Sequence, residues 1–171
     1  MESKIPLGPR IDLRDKVTGR AEYIEDLPDL PNTAYGATLL SPYSHAKIHR
    51  IDCSEALKIP GVLGVVDREH LDGVNPRLKL APHEHLKITD DQDFVAINKV
   101  RYDGDLVALV VAEDPRTAER ALAKIQVDYD PLPAVFDAVA ALESGAPLLH
   151  ESRRGNLLVE DSLVWGDIDE G

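Results

Sequence analysis

The sequence reads as an α+β protein built around one principal domain. Three observations point there. Short strand patterns recur through the middle of the chain, one amphipathic helix follows the most apolar of them, and 171 residues, 43% of them hydrophobic, suffice for a single core.

Pro6, Pro9, Pro28 and Pro31 punctuate the opening residues. They predict an extended, turn-rich segment over 1–30, interrupted at most by one short helical turn, that packs on a domain formed by 31–171. Tyr35 to Leu40 reads as a strand, and Ala46, Ile48 and Ile51 suggest a second. Asp52 to Lys58 is expected to form a short helix, stopped by Pro60-Gly61 before the apolar strand Val62 to Val66. From Leu71 to Asp93 the periodicity dissolves into a long loop.

Lys99 to Tyr102 is a short strand leading into the turn Asp103-Gly104-Asp105. Leu106 to Ala112 is continuously apolar, which predicts a strand buried on both faces at the centre of the sheet. Pro115 opens a helix that turns Ala118, Ala121, Leu122 and Ile125 inward and leaves Arg116, Glu119, Arg120 and Lys124 to solvent. Ile125, Val127 and Tyr129 then alternate with Gln126 and Asp128 in a strand ending at Asp130-Pro131, and this strand–helix–strand run fits on one sheet. Asp137 is the expected N-cap of a helix from Ala138 to Leu142, with Gly145 and Pro147 beyond it. Leu157 to Val159 and Leu163 to Trp165 are late strand candidates.

Composition narrows the function classes. Thirty-one acidic against 19 basic side chains give a formal charge of -12, and the basic residues are not clustered, so neither nucleic acid nor an anionic membrane is an expected partner. Cys53 is the single cysteine, which excludes an intrachain disulfide, a CxxC redox pair and any iron–sulfur cluster held by this chain alone. The run Leu106 to Ala112 is the longest apolar stretch and falls far short of a membrane span, and no secretory leader is evident near Met1. A cytoplasmic protein is expected.

Few residues invite a chemical role. His83-Glu84-His85 has ligating side chains but lacks the helical i, i+4 spacing of HExxH, so a small metal-dependent hydrolase built on it is a weak reading. His45 and His49, four apart in a strand pattern, are too separated to chelate and read as polar strand-edge residues. Cys53, near the start of the expected helix, is read as a small core residue rather than a nucleophile. Asp103 and Asp105 read as solvated turn residues, and Gly61, Gly64 and Gly73 lack the context of a phosphate loop. No catalytic, cofactor-binding or metal residue is assigned.

Four ordered blocks carry a resemblance. The first is Asp12 with Lys16 to Ala21, Tyr23 and Asp26. Ser41-Pro42, His45 to Ile48, Ile51-Asp52 and Pro60-Gly61-Val62 make the second. The third is Val100 to Tyr102, Gly104-Asp105 and Val107 to Glu113. The fourth comprises Ala118, Ala121, Ile125, Val127 to Tyr129, Leu132-Pro133 and Val135, followed by Ala141-Leu142, His150 and Asn156. In order and spacing, from Gly8 to Asp167, they resemble the N-terminal α/β-hammerhead domain of molybdenum hydroxylase large subunits, the xanthine dehydrogenase and aldehyde oxidase family. Leu106 departs from the pattern, since the family commonly has proline after Gly-Asp.

The resemblance implies a mixed β-sheet with a few short helices packed on it, set against the cofactor-binding domains of the same large subunit. In the family those domains hold molybdopterin, usually as the cytosine dinucleotide in bacteria, and the catalytic glutamate, while partner subunits or domains carry 2Fe–2S clusters and FAD. None of these functional residues maps onto 1–171, so the chain is expected to bind no cofactor and to be inactive alone. A holoenzyme of this kind would hydroxylate an aldehyde, an N-heterocycle or a related carbon centre. The alternative is a free-standing binding or assembly module of hammerhead fold with no oxidoreductase role. The apolar Leu157, Leu158, Val159, Leu163, Val164 and Trp165 hint at a buried face, which in the isolated chain would favour a homodimer.

Overall fold

The structure is a computed structural model that describes Gly8 and residues 10–71, 73–74, 77, 92–153, 155–158 and 165–166. Contacts divide the chain into two units, Met1–Thr33 and Ala34–Gly171.

In the first unit, helix α1 (Leu13–Val17) is followed by a 3-10 turn, Ile24–Asp26. The opening segment therefore holds more helix than the expected single turn. Asp12 accepts from Arg10 and pairs with Lys16 at 2.7 Å one turn on, and Gly19, at φ 69°, ends the helix with a conformation suited to glycine. Neither helical element buries a residue.

The second unit contains two three-stranded sheets. The first has the order β1-β5-β3, with β1 (Tyr35–Leu40), β3 (Val62–Val66) and β5 (Leu106–Ala112). The second has the order β4-β2-β6, with β2 (Ala46–Asp52), β4 (Lys99–Val100) and β6 (Gln126–Pro131). All described strand pairs are antiparallel.

The apolar run of β5 is central, as its sequence predicts, and its alternation explains why both faces are apolar. Ala108, Val110 and Ala112 face a cluster completed by Ala56, Val65 and the Ala118 and Ala121 of helix α2 (Pro115–Leu122). Val107 faces the other way, into a cluster of Ala46, Ile48, Ala96 and Val100 from the second sheet. Helix α2 starts at Pro115 behind Asp114, whose carboxylate accepts from Thr117 N at 2.9 Å.

Several expectations change. β5 and β6 do not share a sheet, because β1 and β3 already occupy both edges of β5. The eight residues of α2 rise only about 12 Å against about 23 Å for β5, too little to return the chain to the start of that strand. β6 pairs instead with β2, Ile48 opposite Tyr129.

Residues 54–58 form consecutive turns rather than a helix. Asp52 Oδ1 takes Ser54 N at 3.0 Å, Leu57 N reaches Cys53 O, and Pro60 has no N–H to carry the ladder on. The expected strand at 99–102 shortens to Lys99–Val100. The expected helix at 138–142 is a 3-10 turn, Ala140–Leu142, with Asp137 Oδ1 accepting from Ala140 N at 2.8 Å. Leu157 and Leu158 are not in a strand, and Val159, Leu163 and Val164 lie outside the described residues, as does most of the loop 71–93.

Candidate functional site

The most elaborate polar arrangement joins the second sheet to the segment that follows the Ala140–Leu142 turn. Lys99, on edge strand β4, has a side chain only 7% exposed. Its Nζ lies 3.2 Å from His45 Nε2, 3.1 Å from Leu148 O and 2.7 Å from Glu151 Oε1. His45 Nδ1 is 2.7 Å from Pro133 O. A carbonyl can only accept, so Nδ1 carries the hydrogen and Nε2 is free to accept from the lysine. The Lys99 ammonium beside Glu151 holds that carboxyl below its usual range.

Arg101 extends the arrangement by donating from Nε to Leu149 O at 2.8 Å. Asn156 closes it: Oδ1 accepts from Leu149 N, and Nδ2 donates to Ala141 O and Pro147 O. Beneath Leu149 and His150 lies a cavity of about 210 Å³, also lined by Ala96, Arg101, Tyr102 and Asp105.

Asp105 corrects the expectation of a solvated turn residue, being only 5% exposed. Burial raises its carboxyl above the ordinary range, against the opposing hydrogen bond from Arg101 N to Oδ2 at 2.9 Å. Gly104, at φ 89°, donates its N–H to Ser41 O and turns the chain so that Asp105 points inward.

The histidines separate as expected but only one is at the surface. His45 is buried in the arrangement described, correcting its reading as a strand-edge residue, whereas His49 is exposed, 3.8 Å from Asp130 Oδ2. Cys53 packs against the first cluster, with Sγ 3.7 Å from Asp67 Oδ2. Burial and the Asp67 charge push its thiol up to about 11, so it is protonated and a poor nucleophile at neutral pH. His83, Glu84 and His85 lie outside the described residues.

A second set of contacts fastens the two sheets. Arg68, beyond β3, donates to the carbonyls of Ile48, Ile97 and His49, each at 2.9 Å. Asp67 orders the turn bearing it by accepting from Glu69 N at 2.9 Å and standing 2.8 Å from His70 Nδ1. Nothing in the local sequence around Lys99 or Arg68 marks these residues, because their acceptors come from segments 20 to 50 residues away and are mostly backbone carbonyls. His150 and Asn156 do appear in the fourth sequence block.

Among the described residues no group of three or more His, Cys, Asp or Glu side chains could hold a metal ion, and no helix is long and apolar enough to cross a membrane. The polar groups of the Lys99 arrangement are engaged with protein partners and do not fit a molybdopterin, so no chemical step is derived through that group. Large apolar side chains remain open nonetheless: Phe136 is 85% exposed, Val139 74% and Leu142 60%.

Comparison with known proteins accounts for this combination. The family described as "Aldehyde oxidase and xanthine dehydrogenase, a/b hammerhead domain" matches residues 18–133. The chain is 37% identical over 166 residues to a probable xanthine dehydrogenase subunit of Bacillus subtilis, covering 97% of this chain and 21% of that protein. It is also 37% identical over 133 residues to the carbon monoxide dehydrogenase large chain of Afipia carboxidovorans, covering 78% of this chain and 16% of that one. Its fold superimposes on the aldehyde oxidoreductase of Desulfovibrio gigas with a TM-score of 0.72 at 34% identity, over 84% of this chain and 16% of that chain. The chain thus spans about a fifth or less of the length of these relatives. With two small sheets, short helices and a family match across most of its length, the chain belongs to the a/b hammerhead domain family of aldehyde oxidases and xanthine dehydrogenases.

Proposed function

We propose that the chain serves as the structural hammerhead domain of a molybdopterin-dependent oxidoreductase, and that it neither binds the cofactor nor catalyses a reaction by itself. The observation that carries this reading is a domain about a fifth the length of its relatives that leaves Phe136, Val139 and Leu142 open to solvent. Contiguous apolar side chains at a surface favour a covering partner. In this reading the partner is the cofactor-binding part of the same large subunit, with iron–sulfur and FAD subunits beyond it. The segment 1–30 packs on the assembled domain. The reaction is hydroxylation of an aldehyde, an N-heterocycle or a related carbon centre.

Expression of the complete reading frame beside residues 1–171 tests this. Metal analysis and pterin fluorescence are expected to find molybdenum and pterin in the longer product and neither in the 171-residue chain. A reading frame with no cofactor-binding continuation, or stoichiometric molybdenum on residues 1–171, would overturn it. The former outcome would favour a free-standing assembly module.

A further inference from the structure

We propose that Lys99 is the latch of a strap, the segment Leu148–Glu151 anchored by Asn156, which closes the cavity between itself and the second sheet. An ammonium has three N–H donors, and here three acceptors meet it: His45 Nε2, Leu148 O and Glu151 Oε1. Two of the three belong to the strap. The third, His45, is held in the accepting tautomer by Pro133 O. A buried ammonium is tolerated only while its donors are engaged, so lifting the strap would leave the charge poorly compensated in a site just 7% exposed. That cost ties Leu148 and Glu151 into one unit.

The remaining contacts make the unit continuous. Arg101 holds Leu149 O from the sheet side, and Asn156 holds Leu149 N while bridging back to Ala141 O and Pro147 O. Leu149 and His150 are thereby fixed as one wall of the cavity of about 210 Å³, with Ala96, Arg101, Tyr102 and Asp105 opposite. The strap also screens β4, an edge strand of only two residues that has a ladder partner on one side alone. This inference is independent of the enzyme family reading.

Hydrogen exchange on the full 171-residue chain, compared with Lys99→Met and Glu151→Gln, provides the test. Lys99→Met is expected to speed exchange of the Leu149 amide about tenfold, the loss expected for one to two buried hydrogen bonds, while β5 amides stay protected. Glu151→Gln, at an exposed side chain, is expected to keep the fold and give a smaller acceleration in the same direction. In Lys99→Met, the His45 Nε2 15N resonance should move downfield, toward an imidazole nitrogen with no donor. Unchanged Leu149 exchange in Glu151→Gln together with an unmoved His45 resonance in Lys99→Met would overturn the latch. Should Lys99→Met lose β5 protection, Glu151→Gln decides alone: no acceleration of Leu149 overturns it.

Discussion

The two sheets of the second unit have three strands each, yet they are held by different means. The first sheet is fastened by aliphatic packing, with α2 laid across β1, β5 and β3 through Ala118 and Ala121. The second has a smaller apolar cluster, and charged or polar side chains supplement it: Arg68 on three carbonyls, Lys99 and His45 on the following segment. The difference shows how a short, alanine-rich interface and a polar one can stabilise neighbouring layers of one domain. Apolar packing is indifferent to partner chemistry, whereas the polar contacts fix which segment lies where.

The largest effect is expected from Val110→Ala, which removes atoms from a fully buried position beneath α2. Transfer plus cavity terms amount to about 2 kcal/mol, read as a lower urea midpoint with an unchanged slope. Unaltered stability would break the contrast, since it would mean that the first sheet does not depend on its packing.

Arg68→Ala is expected to cost about 1.5 kcal/mol, because carbonyls that lose a charged donor are only partly rescued by water. Hydrogen exchange should locate the damage in β2 and around Ile97, with the α2 amides spared. Equal loosening of both sheets would show that their anchorage is not separable.

The smallest effect is one of pH. Glu151 has a folded-state pKa below its ordinary 4.5, through its bond to Lys99. Its contribution is therefore present above 4.5 and is lost as acidification passes through the lowered folded-state value. The side chain is 69% exposed, so solvent screening keeps that contribution small. Exchange of the Leu149 amide should accelerate on acidification relative to Val110, after correction for intrinsic rates. The same ratio at pH 7 and below pH 4.5 would remove Glu151 from the polar anchorage.

Much of this architecture is legible in local residue patterns. The seven apolar residues of β5 announce a strand buried on both sides, and Asp114-Pro115 followed by Ala118 and Ala121 fixes the start and inner face of α2. Asp137 caps the helical turn it was expected to cap. The four blocks from Asp12 to Asn156 are enough to indicate the hammerhead family. These signals share a cause: period, capping and turn chemistry act within a few residues of one another.

Only the tertiary structure decided how the strands divide between two sheets, that residues 54–58 turn instead of coiling into a helix, and that Asp105 and His45 are buried. It also decided the roles of Lys99 and Arg68, whose strand and turn positions resemble ordinary surface sites in sequence. Each of these depends on groups far apart in the chain. β5 excludes β6 because β1 and β3 already hold its edges, and Lys99 is tolerated inside because Leu148 and Glu151, some 50 residues on, bring it acceptors.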